Sequence, residues 1–379
     1  MKNLVLYYAT NRKHEGKDRF RPDGYGSKFS DDGSENLRFG KLTVQADERE
    51  MNKVLTAPVG DGIGNGSKLA DYLASRASSA KIQAYREKIS PAFADIHQTG
   101  KQLGSTAMFS ELMTIMRKST DVLVYIHGYN VSWTDAVGAG LSLQEMLNNS
   151  RDRDPNQRVL VVLFTWPSDG MALPFVSYKS DRTDAKGSGY SIGRGFLKFR
   201  DYLAMLRDRS RGGERLCGQD IHLLCHSMGN YVLQNALERM EEFTPGRVLS
   251  RIFEHIFLCA ADVDDNVLEP GQCMDSLHEL ARSISVYSNR GDTAPHVSDY
   301  TKGNPDRLGT SGAARPTLLH NKIHQIDCSP IVHGLIEHNY YLSGNINADI
   351  RFSIDGVSPE DSKRRRKKSG TQDRVWVMT

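Results

Sequence analysis

One serine, three aspartates and two histidines lie along this chain in the order nucleophile, acid, base. Ser227 is the first of them. It stands in Ile221-His222-Leu223-Leu224-Cys225-His226-Ser227-Met228-Gly229-Asn230. A short apolar strand enters a tight turn there, and a helix leaves it. That context projects a serine hydroxyl from the end of a sheet. The turn needs small residues two before and two after the serine, and Cys225 and Gly229 occupy those places. The backbone N–H of Met228 opens the helix and points at a developing oxyanion, aided by the helix dipole.

A second loop supplies the matching donor. Val122 to Ile126 is a buried strand that ends in His127-Gly128-Tyr129-Asn130. Gly128 lets the backbone turn close to a substrate, and the Tyr129 N–H is assigned as the second oxyanion donor. His127 is read as a residue that braces the loop. Asn130 is expected to fix it through side-chain hydrogen bonds.

A serine hydroxyl is a weak nucleophile. It needs a base, and the base needs an orienting carboxylate. Asp292 follows the second strand beyond the nucleophile strand, where the acid usually lies, and is preferred. Asp262 and Asp264 follow the first such strand and are the alternatives. His338, beside Asn339-Tyr340-Tyr341, is the preferred base, with His333 as its alternative. His320 and His324 are expected to pack or to face solvent. This chemistry requires no metal and no cofactor.

The elements that must position these residues are legible from residue 121 onward. Short apolar runs at 122–126, 159–164, 221–225, 255–259, 284–287 and 322–326 alternate with helical stretches at 133–148, 195–209, 229–240 and 275–281. Nearly continuous apolar strands mean burial on both faces, as in a parallel sheet. The alternation predicts a doubly wound α/β fold. Before it, 5–9 and 37–44 read as strands and 67–117 as mostly helical. Two stretches read as long loops, 168–192 and 290–321, and the first is a candidate lid. Trp166, Phe175, Tyr178, Tyr340 and Tyr341 are candidates to line an acyl pocket.

Composition narrows the class. The chain has 379 residues, 39% hydrophobic, with 33 glycines and a net charge of +3. That is globular in type. No apolar run is long enough to span a membrane, and the first residues are a poor secretory signal. Five cysteines without a CxxC pair suggest neither a disulfide framework nor a zinc site. A cytoplasmic location is therefore expected. Residues 1–355 are expected to form one elaborated domain, with N-terminal additions at 1–120 and a catalytic core at 121–350. The remainder, 356–379, reads as a flexible basic tail. Its run Lys363-Arg364-Arg365-Arg366-Lys367-Lys368 carries +6 and leaves the rest of the chain slightly acidic. It is a candidate contact for polyanions.

Taken in order, these motifs resemble the α/β-hydrolase superfamily, in particular its bacterial esterase/lipase-like branch of poorly characterised function. The resemblance is carried by Tyr8-Ala9-Thr10-Asn11-Arg12, His127-Gly128-Tyr129-Asn130 and Phe164-Thr165-Trp166-Pro167-Ser168. It continues through His226-Ser227-Met228-Gly229-Asn230, Ala261-Asp262-Val263-Asp264, Asp292 and His338-Asn339-Tyr340-Tyr341. It departs from the usual elbow at Cys225. It implies a doubly wound, mostly parallel sheet and a serine hydrolase with Ser227, His338 and Asp292 as the triad. A small-molecule or lipid ester is the substrate class that follows. An amidase or thioesterase would use the same triad. The rival reading is a catalytically degenerate scaffold that binds partners through the basic tail.

Overall fold

A computed structural model describes residues 1–86, 104–117, 121–149, 158–168, 174–211, 219–292, 306–332, 338–370 and 374–379. Residues 1–86 hold β1 (Lys2–Thr10), the ribbon β2 (Arg12–Glu15) and β3 (Gly24–Phe29), and β4 (Arg38–Ala46). They also hold α1 (Glu48–Leu55), the two-residue strands β5 (Pro58–Val59) and β6 (Gly62–Ile63), α2 (Gly66–Ala77) and β7 (Lys81–Ala84). Then come α3 (Gly104–Met116), β8 (Asp121–Ile126), α4 (Trp133–Asn148), β9 (Val159–Thr165) and α5 (Pro174–Arg211). The chain continues through β10 (Ile221–His226), α6 (Gly229–Glu242), β11 (Phe253–Cys259), α7 (Leu277–Leu280) and β12 (Ala281–Ser288). It ends with α8 (Leu308–Ser311), β13 (Ile323–Asp327), α9 (Gly344–Ile354), β14 (Arg366–Lys368) and β15 (Val375–Met378).

Among the described residues one large sheet runs in the order β14-β15-β13-β12-β11-β10-β8-β9-β1-β4-β7. Every neighbouring pair from β15 to β1 is parallel. Among the described residues β4, β7 and β14 run against their inner neighbours. The central strands carry apolar side chains on both faces, and helices cover both. On one face Met108 and Phe109 of α3, Ile192 and Phe196 of α5, and Val232 and Leu233 of α6 pack on Val122, Leu223 and Ile256. On the other, Leu69 and Leu73 of α2, Leu141 of α4 and Ile346 and Ile350 of α9 pack on Leu123, Leu224 and Phe257. This is the doubly wound α/β architecture that the alternation of strands and helices predicts.

Two expectations are corrected. The stretch 168–192 is not a long loop, because α5 begins at Pro174 and runs unbroken to Arg211. Its glycines are contact points. A Cβ at Gly189 would lie 2.4 Å from the Asn235 Cβ, and one at Gly193 would lie 2.8 Å from the Ala236 carbonyl oxygen. Small residues four apart thus let α5 lie close along α6, and that packing outweighs the low helix propensity of glycine.

The second correction concerns the basic tail. Residues 366–368 and 375–378 are strands, and β15 extends the main sheet by pairing with β13. Arg364 is buried, and its Nε donates to Oδ1 of the buried Asp349 at 2.7 Å. Arg366 donates to the same carboxylate at 3.3 Å and lies over the Trp376 ring. A buried carboxylate must be paired, so these two arginines serve the fold and are withdrawn from any polyanion patch. Lys363, Arg365, Lys367 and Lys368 stay exposed, and Lys368 pairs with Glu360 at 2.9 Å.

Candidate active site

The β10–α6 turn is built around one unusual backbone conformation. Ser227 has φ of +52°. A side-chain-bearing residue there costs on the order of 1–3 kcal/mol and persists only where its surroundings hold it. Here they do. The Asn230 amide donates to the carbonyls of Ser227 at 3.0 Å and Cys225 at 3.2 Å. The Ser227 N–H donates to the Cys259 carbonyl, and the Asp262 N–H donates to the Ser227 carbonyl. Gly229 is required by close approach, since a Cβ there would lie 2.6 Å from the Ile126 carbonyl oxygen.

The loop after β8 lies directly against this turn. A Cβ on Gly128 would stand 2.7 Å from the Ser227 Cβ and 3.2 Å from its Oγ. The Met228 N–H opens α6 and donates to no acceptor among the described residues. The loop is braced from below. Buried Arg12 donates from Nε to the Thr165 hydroxyl at 2.9 Å and from Nη2 to the Val131 carbonyl at 2.7 Å. The Thr165 hydroxyl lies 3.0 Å from Nε2 of His127, whose Nδ1 lies 2.8 Å from the Gly128 carbonyl. With the hydroxyl donating to Nε2, Nδ1 carries the proton and donates to that carbonyl. Burial lowers the His127 pKa to about 3, so the ring is neutral. It stacks on Trp166, whose indole N–H donates to the His127 carbonyl.

The candidate acid and base form a bonded pair. Nδ1 of His338 donates to Oδ2 of Asp292 at 2.6 Å, and the Asp292 side chain is fully buried. The carboxylate fixes Nδ1 as the protonated nitrogen, which leaves Nε2 with the lone pair that a candidate base needs. His338 is also gripped by its backbone. His226, immediately before Ser227, donates from Nε2 to the His338 carbonyl at 3.1 Å, with the two rings 4.6 Å apart. Burial and the neighbouring His338 push the His226 pKa well below the usual histidine value. It is a neutral strut.

This arrangement of strands, turn and helices matches a known family. Residues 105–350 match the family described as alpha/beta hydrolase of unknown function, DUF900. The chain belongs to that family. No curated protein matches it. Among the described residues no helix is long and apolar enough to cross a membrane.

Within this DUF900 scaffold the candidate residues separate. Ser227, Gly128 and Met228 cluster at the C-terminal ends of β8 and β10, and Asp292 and His338 form a bonded pair. Asp262 is engaged elsewhere. Its carboxylate accepts from the Tyr178 hydroxyl at 2.8 Å and lies 3.5 Å from Arg307, which also pairs with Asp264 at 2.6 Å. His333 and Phe175 lie outside the side chains described. The Asn130 loop is held through its backbone, with φ of +58° and its N–H donating to buried Asp181. Cys225 is fully buried, and its thiol pKa is raised well above the usual value. That suits a small apolar filler.

Three of the proposed pocket aromatics belong to the core. Trp166 braces His127. The Tyr340 hydroxyl donates to the Tyr287 carbonyl and accepts from the Ala260 N–H. The Tyr341 hydroxyl meets that of Tyr125 at 2.6 Å. Tyr178 stands beside the site, its ring edge-on to Tyr129 at 5.8 Å, and the Tyr341 ring lies 4.7 Å from that of His226. Sequence reasoning gave no role to His226, Arg12, Thr165, Ser168 or Asp181. The motifs containing Arg12, Thr165 and Ser168 stood out, but their partners lie far away in sequence.

Proposed function

We propose that this protein is a serine hydrolase that cleaves carboxylic esters through an acyl-enzyme. The observation that carries this reading is the 2.6 Å bond from His338 Nδ1 to buried Asp292. It supports His338 as a base, and the hydrogen bond from His226 to the His338 carbonyl links that histidine to the residue before Ser227. In this mechanism His338 Nε2 takes the Ser227 proton as Oγ attacks the ester carbonyl. The Tyr129 and Met228 N–H groups hold the oxyanion, each contributing about 3–4 kcal/mol to the transition state. The carbon–alkoxy bond then breaks, and His338 returns the proton to the departing alcohol. Water repeats the sequence, with His338 accepting its proton and Ser227 leaving the acyl group.

The substrate set to try is a series of 4-nitrophenyl esters of increasing acyl length, with an anilide and a thioester of the best acyl group. Ester turnover that Ser227→Ala abolishes supports the reading. A thioester or anilide preferred over the ester keeps the triad but replaces the substrate class. Turnover equal in both proteins contradicts the mechanism.

A further inference from the structure

Beside the Ser227 turn lies an arginine that the proposed mechanism does not use. Arg182 projects from α5 and is half-buried. Its guanidinium carbon lies 3.8 Å from the centre of the Tyr231 ring. Tyr231 is on the first turn of α6, immediately after the Ser227 turn. One guanidinium nitrogen donates to the Tyr178 hydroxyl at 3.3 Å. That hydroxyl donates in turn to Asp262, whose backbone N–H donates to the Ser227 carbonyl. Two short chains of contact, through Tyr231 and through Tyr178, therefore tie Arg182 to the nucleophile turn.

Arg182 makes no direct ion pair with a carboxylate. Among the described residues none lies within ion-pair distance of it; Asp262 acts on its charge from farther away and is bridged to it by the neutral Tyr178 hydroxyl. Neighbouring Arg307 shows the contrast, being buried between Asp262 and Asp264. A guanidinium laid on an aromatic ring is held over its face, with its remaining N–H groups directed outward in the guanidinium's own plane. Such a fork matches the two oxygens of a carboxylate. Half-burial strengthens that attraction relative to open water.

We propose that Arg182 anchors a carboxylate on the substrate, so that the site prefers esters carrying a free acid group over neutral esters of the same length. This deepens the serine-hydrolase reading and rests on it for the position of the scissile bond. Binding tests it separately from turnover. Monomethyl adipate, a monoanion, is titrated by calorimetry into Ser227→Ala protein, which does not consume it, with and without Arg182→Met. The expected result is a loss of affinity of roughly 10- to 100-fold, the range of a charge-assisted hydrogen bond. Arg182→Lys, which keeps the charge and loses the fork, falls between. Arg194→Met, on the same helix and paired with exposed Glu35, leaves affinity unchanged.

Turnover is then compared for 4-nitrophenyl hydrogen adipate and 4-nitrophenyl methyl adipate. The ratio of their kcat/KM values favours the acid in the unaltered protein and falls with Arg182→Met. Equal affinity with and without Arg182, or no binding at all, overturns the anchor. If neither ester is hydrolysed while monomethyl adipate still binds through Arg182, the hydrolase reading fails and the anchor stands. Circular dichroism melts of each variant separate loss of binding from loss of fold.

Discussion

The imidazole of His226 donates from Nε2 to the main-chain carbonyl of His338 at 3.1 Å. The residue before the candidate nucleophile thus holds the backbone of the candidate base. His226→Ala should let His338 drift while leaving Ser227 in its turn. The expected result is a fall in kcat of roughly 10- to 100-fold with KM little changed, because misplacement by about 1 Å costs on that order. His226→Gln, which restores an N–H donor, should recover part of the loss. Steady-state kinetics on a 4-nitrophenyl ester reads both.

The two aspartates should behave differently. Asp292 fixes the tautomer of His338, so Asp292→Asn should lower kcat by about 10⁴-fold. Asp262 bonds Tyr178 and lies near Arg307, so Asp262→Asn should cost far less in kcat. Equal losses in the two variants would count against the assignment of Asp292.

Acid should destabilise the fold through His127. Its folded pKa is lowered to about 3 by burial, against about 6.5 when unfolded. The unfolded chain therefore binds the extra proton first. Stability from this group is complete above pH 6.5 and is lost as pH falls from 6.5 towards 3, at up to about 1.4 kcal/mol per pH unit. Urea unfolding between pH 7 and 4 should show a shallower dependence for His127→Gln than for the unaltered chain. Identical slopes would contradict it.

The basic run should be a stability element. Arg364→Met leaves buried Asp349 with a weaker set of partners, and breaking such a pair typically costs about 3–5 kcal/mol. The denaturation midpoint should fall markedly. By contrast, Lys367→Ala, at an exposed position, should change it by less than about 0.5 kcal/mol.

Much of this was legible in the sequence because it is local. Val122–Ile126 and Ile221–Cys225 are unbroken apolar runs, and Gly229 and Gly128 mark turns where backbones meet. The second half of helix α5 was legible as the helical stretch 195–209, but its first half was not. The Ser, Gly and Asp content of that first half has the texture of a loop, and the fit of Gly189 and Gly193 against α6 accounts for its helix. The basic tail misled in the opposite way. Six consecutive cations read as solvated until Asp349, Arg364 and Trp376 are brought together by strand pairing. His226 and Arg12 act through residues more than a hundred positions away, and no spacing rule connects them. Asp292 could be preferred over Asp262 from strand order alone, but the Tyr178 and Arg307 contacts that occupy Asp262 come from separate segments.

The most direct measurement is covalent labelling with a fluorophosphonate, read by intact mass and peptide mapping. The expected result is one adduct, on the peptide containing Ser227, that is absent from Ser227→Ala and slowed in His338→Ala. An unlabelled protein, or an adduct that persists in Ser227→Ala, would contradict the account.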